Sequence, residues 1–146
     1  MAIHRMDNVG IVVADLDAAV AFFTELGMEL ENRMPISGQW AGDVVGLDDL
    51  RSEIAMMQIP NAPGKLELAT YHSPKAVTPV PEVPPPNTLG VHRVMFAVDD
   101  LEDTIARLRP LGGEVIGKVS RYEDIFLLCY LRGPGGIIIG LAEQLN

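Results

Sequence analysis

Histidine and cysteine, which often carry catalysis or hold metal ions, are few in this sequence and scattered along the chain. The three histidines are His4, His72 and His92, which do not form a cluster in the sequence. The single cysteine, Cys129, lies in an apolar run, where a cysteine usually behaves as a small buried hydrophobe. One cysteine excludes an internal disulfide and a cysteine-based zinc cluster. Any site therefore has to be built from other polar residues.

One stretch of the sequence occurs twice, and its two copies show where to look. Residues 8–30 and 93–115 align without gaps, so that Asn8 takes the same place as Arg93. The caps of two predicted helices, Asp15 and Asp100, also coincide. Such internal similarity indicates one supersecondary unit used twice. We expect a binding site between the two copies.

Hydrophobic periodicity predicts the order βαβββ in each copy. Strands are predicted over 7–13, 28–32, 53–59, 65–71, 91–98, 114–120, 125–132 and 137–143. Helices are predicted to begin after Asp15 and Asp100 and to end at Gly27 and Gly112. Residues 35–46 are expected to form a loop, with one helical turn over 43–46 as the alternative for its last part. The predicted fold class is α+β, with modules over 1–72 and 89–146 joined by an extended proline-rich linker over 73–88.

Strand alternation divides the residues of each sheet between two faces. The bulkier face should pack against the helix, which leaves a smaller, more polar face around a cavity. The candidate ligand-binding residues on that face are Asn8, Glu67, Tyr71, Arg93 and Met95.

Two further features have open interpretations. Trp40, in the expected loop, either closes over a ligand or serves as a core or dimer-contact residue. The turn at 122–124 either places a carboxylate at the rim of the cavity or is simply solvated.

Composition excludes several classes of function. With 146 residues the chain fits a single domain. A net charge of −9 argues against nucleic-acid binding, which needs clustered lysine and arginine. No apolar run is long enough for a membrane span, and the first residues lack the apolar core of a signal peptide. We therefore expect a cytoplasmic protein without membrane or nucleic-acid partners.

The repeated unit resembles the vicinal oxygen chelate superfamily, which contains glyoxalase I, bleomycin-resistance proteins and extradiol dioxygenases. The resemblance is carried by Val-Ala-Asp-Leu-Asp-Ala-Ala-Val-Ala-Phe-Phe at 13–23 and by Gly-Pro-Gly-Gly-Ile-Ile-Ile at 133–139. It implies two βαβββ modules that form a pair of half-barrels around a central cavity. It also implies a homodimer.

In metal-dependent members of that superfamily four positions hold a divalent ion, and the resemblance maps them to Asn8, Glu67, Arg93 and Gly140. A divalent ion needs several converging lone-pair donors. Glycine has no side chain, arginine has no acceptor, and the asparagine amide is a weak donor, so only Glu67 fits. Glu143 lies on the other face from Gly140 and is expected to be solvated. The sequence therefore predicts a degenerate metal site and no cofactor. The alternative is that the protein binds a divalent metal ion.

Two functions remain in view. The first is a metal-free binding protein that sequesters an apolar or drug-like small molecule. The alternative is an enzyme of the superfamily: a lyase, an isomerase or a dioxygenase. Such an enzyme either has an unrecognised metal site or works without a metal, with Glu67 as the base and Arg93 as the group that stabilises an oxyanion. Arg93 and Glu67 are predicted to pair, either as part of the ligand site or as a structural ion pair alone.

Overall fold

The computed structural model describes residues 2–145, which divide into two compact units, each with its own four-stranded sheet. Unit 1 ends at Val77 and unit 2 begins at Thr78. The elements of unit 1 are β1 (Val9–Val12), α1 (Leu16–Leu26), β2 (Glu29–Ser37), α2 (Gln39–Val45), β3 (Arg51–Gln58) and β4 (Lys65–Ser73). Those of unit 2 are β5 (Arg93–Ala97), α3 (Leu101–Leu108), β6 (Ser120–Tyr122), β7 (Phe126–Arg132) and β8 (Ile138–Gln144).

The two sheets have the same topology. Their strand orders are β1-β4-β3-β2 and β5-β8-β7-β6. The first and last strands of each unit pair in parallel, and the remaining neighbours are antiparallel; β2 and β3 are joined through α2, and the other antiparallel neighbours are joined by short turns. This topology confirms the predicted α+β fold of two βαβββ modules.

Each helix between the first two strands begins at the aspartate that the sequence indicated. Asp15 accepts a hydrogen bond from the Ala18 backbone N–H at 3.0 Å, and Asp100 accepts one from Asp103 at the same distance. Helix α1 ends at Gly27, whose φ of 127° is easily adopted only by glycine. These local signals place a helix on one face of each sheet.

The core of each unit lies between its helix and its sheet. Phe22 and Phe23 of α1 are almost fully buried with Met57 and Leu68 of the sheet, and their rings meet edge to face at 5.2 Å. In unit 2 the fully buried residues are Leu101, Leu108, Leu131, Ile139 and Leu141. Burial of this apolar surface is the main stabilising contribution. The opposite face of each sheet remains partly exposed, as alternation predicted.

The prediction of a loop over 35–46 was wrong, and the helical turn considered over 43–46 is part of a longer helix that begins at Gln39. Strand β2 continues to Ser37 and pairs with β3 as far as Arg51. Pro35 is tolerated because β2 is the edge strand of its sheet, where a missing N–H need not cost a ladder hydrogen bond. The helix α2 then follows, and it carries Trp40.

The strand predicted over 114–120 was also largely wrong. This segment makes only an isolated bridge between Val115 and Leu131, and the strand β6 begins at Ser120. Gly117 has a φ of 82°, which interrupts an extended strand. None of the helices within residues 2–145 has both the length and the apolar character needed to cross a membrane.

Candidate functional site

In each unit, the sheet face turned away from the helix gathers the predicted site residues, and we call it the open face. The open face of unit 1 carries Gly10, Val12, Asn32, Met34, Ile54, Met56, Glu67, Ala69 and Tyr71. The open face of unit 2 carries Arg93, Met95, Ala97, Ser120, Tyr122, Leu128, Tyr130, Arg132, Ile138, Gly140 and Ala142.

On the open face of unit 1, Glu67 is an isolated carboxylate among apolar neighbours. Its partners in register are Gly10 on β1 and Met56 on β3. The side chain is half-buried, and it has no ion-pair partner among the described residues of unit 1. The positive charge of Lys65, the first residue of β4, is neutralised by Glu31, whose carboxylate lies 2.6 Å from the Lys65 ammonium group. Within the described part of unit 1, Glu67 is thus an unpaired anionic side chain between Gly10 and Met56.

The other two predicted residues of unit 1 lie at different distances from Glu67. Asn8 directly precedes β1 and is half-buried. Because Gly10 is level with Glu67, Asn8 lies roughly 7 Å along the sheet from that carboxylate. Tyr71 shares the face but is four residues further along β4, roughly 13 Å away. Unit 1 therefore brings Asn8 near Glu67 and leaves Tyr71 at the far end.

On the open face of unit 2, Arg93 reaches across a neighbouring strand. Its guanidinium lies 5.2 Å from the centre of the Tyr130 ring, which is within cation–π range. Tyr130 belongs to β7, and the strand between, β8, has Gly140 at the position that pairs with Tyr130. The absence of a side chain at Gly140 leaves space for this crossing.

Met95 fills the remaining space above Gly140. The two residues are partners in register, and a Cβ added at Gly140 would lie 2.7 Å from the Met95 sulfur. Met95 is itself 49% exposed, so it forms a flexible apolar patch at the surface.

The sheet registers support the equivalence of Glu67 and Gly140 that the family resemblance implied. Glu67 pairs with Gly10, and Gly140 pairs with Met95, which takes the same place in the second copy. Each pair holds one glycine, but on opposite strands. The position where a relative would place a glutamate in unit 2 is therefore occupied by the side chain of Met95.

The donor set of the described residues does not fit a divalent ion. Among residues 2–145 no three histidine, cysteine, aspartate or glutamate side chains gather so that they could hold a metal. Arg93 brings a permanent positive charge and Gly140 brings no donor, so neither position can serve as a ligand. The pairing of Arg93 with Glu67 stays a prediction, and each is described within its own unit.

Trp40 lies outside both open faces. It belongs to α2 and is 64% exposed, so its predicted position on a loop was wrong. Its closure over a ligand stays a prediction.

The turn at 122–124 begins at the last residue of β6. The Asp124 carboxylate accepts a hydrogen bond of 3.3 Å from the Arg121 guanidinium, so one carboxylate of this turn is engaged in an exposed ion pair.

Sequence reasoning misjudged Glu143. The carboxylate is not simply solvated, because it accepts a hydrogen bond of 2.7 Å from the Leu101 backbone N–H at the start of α3. Thr70 takes the equivalent place in unit 1 and donates to the Ala14 carbonyl at 3.3 Å. In both units the last strand is thus tied to the start of the helix.

Sequence reasoning also missed Arg132, which lies two residues from Tyr130 on the open face of unit 2. Its guanidinium donates to the carbonyls of Gly136 and Pro84, and so holds the proline-rich segment against β7. Strand alternation would have placed Arg132 on this face, but the contact with Pro84 has no signal in the local sequence.

A second group of charges lies on the helix side of unit 1. Arg33 donates to Asp17 on α1 and binds Glu53 on β3 through two nitrogens, at 3.1 and 3.2 Å. The hydrogen bonds from Arg33 hold the pKa of Glu53 below its usual value. This group borders a cavity of about 400 Å³ that Tyr71 and His72 also line.

Another cavity, of about 610 Å³, lies beside α2, lined in part by Gly42 and Arg51. None of the predicted site residues lines it.

Cys129 is buried as predicted, and desolvation raises the pKa of its thiol to about 11.

Comparison with known proteins identifies the family. A sequence profile of the Glyoxalase/Bleomycin resistance protein/Dioxygenase superfamily matches residues 5–141. A glyoxalase family protein from Bacillus cereus is 44% identical, with a TM-score of 0.93, over 100% of this chain and 97% of that chain. A search of curated protein sequences finds no significant match.

More distant structures share the fold. An antibiotic-binding protein from a Streptomyces species has a TM-score of 0.63 at 20% identity, over 99% of this chain and 98% of that one. The trypanothione-dependent glyoxalase I of Leishmania major has a TM-score of 0.67 at 17% identity, over 96% of this chain and 86% of that one. The profile match and the 44% identity together show that the chain belongs to the Glyoxalase/Bleomycin resistance protein/Dioxygenase superfamily.

Proposed function

We propose that this protein binds an apolar or drug-like small molecule without the help of a metal ion. The observation that carries the proposal is the Met95–Gly140 pair, because a flexible apolar side chain occupies the place where a metal-dependent relative needs a carboxylate. Met95 is partly exposed, so its thioether and methyl group are accessible to a ligand.

The open faces have the composition of a small-molecule site. Apolar side chains that are partly exposed, Val12 at 52% and Met34 at 40%, leave apolar surface to cover. Glu67 and Arg93 add single polar anchors, which would fix the orientation of a ligand. The antibiotic-binding relative from Streptomyces makes a sequestering role reasonable for this scaffold.

Metal analysis of the purified protein tests the metal-free part of the proposal. We expect less than stoichiometric nickel, zinc, manganese and iron, with no thermal stabilisation when these ions are added. A stoichiometric ion that survives dialysis would contradict the proposal and favour the alternative of a metal-dependent superfamily enzyme.

Equilibrium binding of a neutral apolar probe, 2-naphthamide, tests the binding part. We expect saturable binding that weakens when Met95→Asp places a charge on the open face. The matched control is Val44→Asp on α2, a residue that is 79% exposed and outside both open faces. Equal binding by wild type and Met95→Asp would contradict the assignment of the site to this face. The homodimer implied by the family is tested separately, by light scattering.

A further inference from the structure

Arg93 and Arg132 occupy one row across the open face of unit 2. Arg93 on β5 pairs with Ile138 on β8, and Ile138 pairs with Arg132 on β7. Two interstrand spacings separate the backbones of the two arginines, which is roughly 10 Å. Ile138, at 2% exposure, forms an apolar floor between them.

Both guanidinium groups are held by contacts on or beside β7. Arg93 lies over Tyr130, which is two residues from Arg132 on the same face of the same strand. Arg132 is held by the carbonyls of Gly136 and Pro84. Both groups are therefore oriented by contacts within the unit before any ligand arrives, which lowers the entropy cost of binding.

Neither positive charge is neutralised within the unit. The described residues give Arg93 and Arg132 no carboxylate partner, because Arg132 donates to two neutral carbonyls and Arg93 stacks on a neutral ring. The strand positions that make up the open face of unit 2 include no aspartate or glutamate. A local excess of two positive charges in a chain with a net charge of −9 marks a place for an anion.

We propose that the open face of unit 2 contains an oxyanion subsite formed by Arg93 and Arg132, and that the ligand is an apolar molecule bearing a carboxylate. Guanidinium groups bind carboxylates through parallel N–H donors. The apolar side chain of Met95, which is 49% exposed, would cover the body of the ligand. A monoanion fits better than a phosphomonoester dianion, because the remainder of the chain is strongly acidic and two of the Arg132 donors are already engaged. This inference rests on the proposed function and specifies its ligand class.

A matched set of probes tests the subsite: 2-naphthoate, its neutral amide 2-naphthamide, and 2-naphthyl phosphate. We expect wild-type protein to bind the carboxylate about ten-fold more tightly than the amide, the scale of one charge-assisted hydrogen bond. The preference should decrease as salt is added, because added ions screen the guanidinium charges. Tighter binding of the phosphate than of the carboxylate would overturn the assignment to a carboxylate.

Variants of Arg132 separate binding from its structural role. Arg132→Gln keeps a donor for the Pro84 carbonyl but removes the charge, and it should abolish the preference for carboxylate over amide. Arg132→Lys keeps the charge and should retain part of the preference. The control Arg121→Gln, on β6 and on the opposite side of the sheet from Tyr130, should leave the preference unchanged.

The outcomes distinguish this inference from the proposed function. If both probes bind equally well to wild type, the small-molecule function stands and the oxyanion subsite is wrong. If Arg132→Gln weakens both probes by the same factor, Arg132 acts only as a structural clamp and the subsite is wrong. If neither naphthoate nor naphthamide binds, both proposals are wrong.

Discussion

Replacement of Glu143 by alanine should destabilise unit 2 by loosening the start of α3. The carboxylate lies 2.7 Å from the Leu101 N–H, one of the backbone donors at a helix start that have no partner within the helix. A partly buried hydrogen bond to a charged group contributes roughly 1.5–3 kcal/mol, which includes the favourable position of a negative charge at a helix N-terminus. We therefore expect Glu143→Ala to lower the free energy of unfolding by about 2 kcal/mol.

Urea unfolding followed by far-UV circular dichroism measures this loss, and a thermal melt should show a decrease in Tm of about 4–8 °C. Glu143→Gln keeps an acceptor oxygen but not the charge, so it should lose about half as much. Glu114, an exposed glutamate of the same unit, provides the control variant Glu114→Ala, which should stay near wild type. A Glu143→Ala protein within about 0.5 kcal/mol of wild type would refute the reasoning.

Three further predictions concern other parts of the chain. The hydrogen bonds from Arg33 lower the pKa of Glu53 in the folded protein. Ionised Glu53 therefore stabilises the fold at any pH above its pKa in the unfolded chain, and this stabilisation is lost as the pH falls through its pKa in the folded protein. In an acid titration, Glu53→Gln should show a shallower loss of stability than wild type. Cys129 is buried with a pKa of about 11, so Ellman's reagent at neutral pH should react much faster in urea than in buffer. Trp40 is largely exposed, so acrylamide should quench its fluorescence efficiently in the native protein; strong protection would contradict the described position of α2.

The parts of the fold that depend on local signals were predictable from the sequence. Asp15 and Asp100 cap their helices because a carboxylate can accept the N–H of the third residue that follows, which is a short-range property. The family resemblance gave the equivalence of Glu67 and Gly140, and the strand registers agree with it because both units use the same pairing. The open faces followed from the alternation of strand side chains.

The features that sequence reasoning missed depend on contacts between distant residues. The length of β2 depends on its pairing with β3 and on the edge position that tolerates Pro35, and neither is visible in the local composition. Glu143 meets Leu101, and Arg132 meets Pro84, only because sheet pairing brings them together. From the sequence alone, a polar residue near a strand end is expected to be solvated, because its hydrogen-bond partner is defined only by the fold.

The hydrogen bond from Arg132 to the Pro84 carbonyl fixes one point of the chain that connects β4 to β5. Residues 74–92 join β4 to β5, but the segment from Pro84 onward is fixed to the sheet of unit 2 by this contact. The stretch between β4 and this contact is therefore only residues 74–83, which spans at most about 35 Å when fully extended. One arginine on a sheet face thus also sets the length of chain that lies between β4 and a fixed point on unit 2.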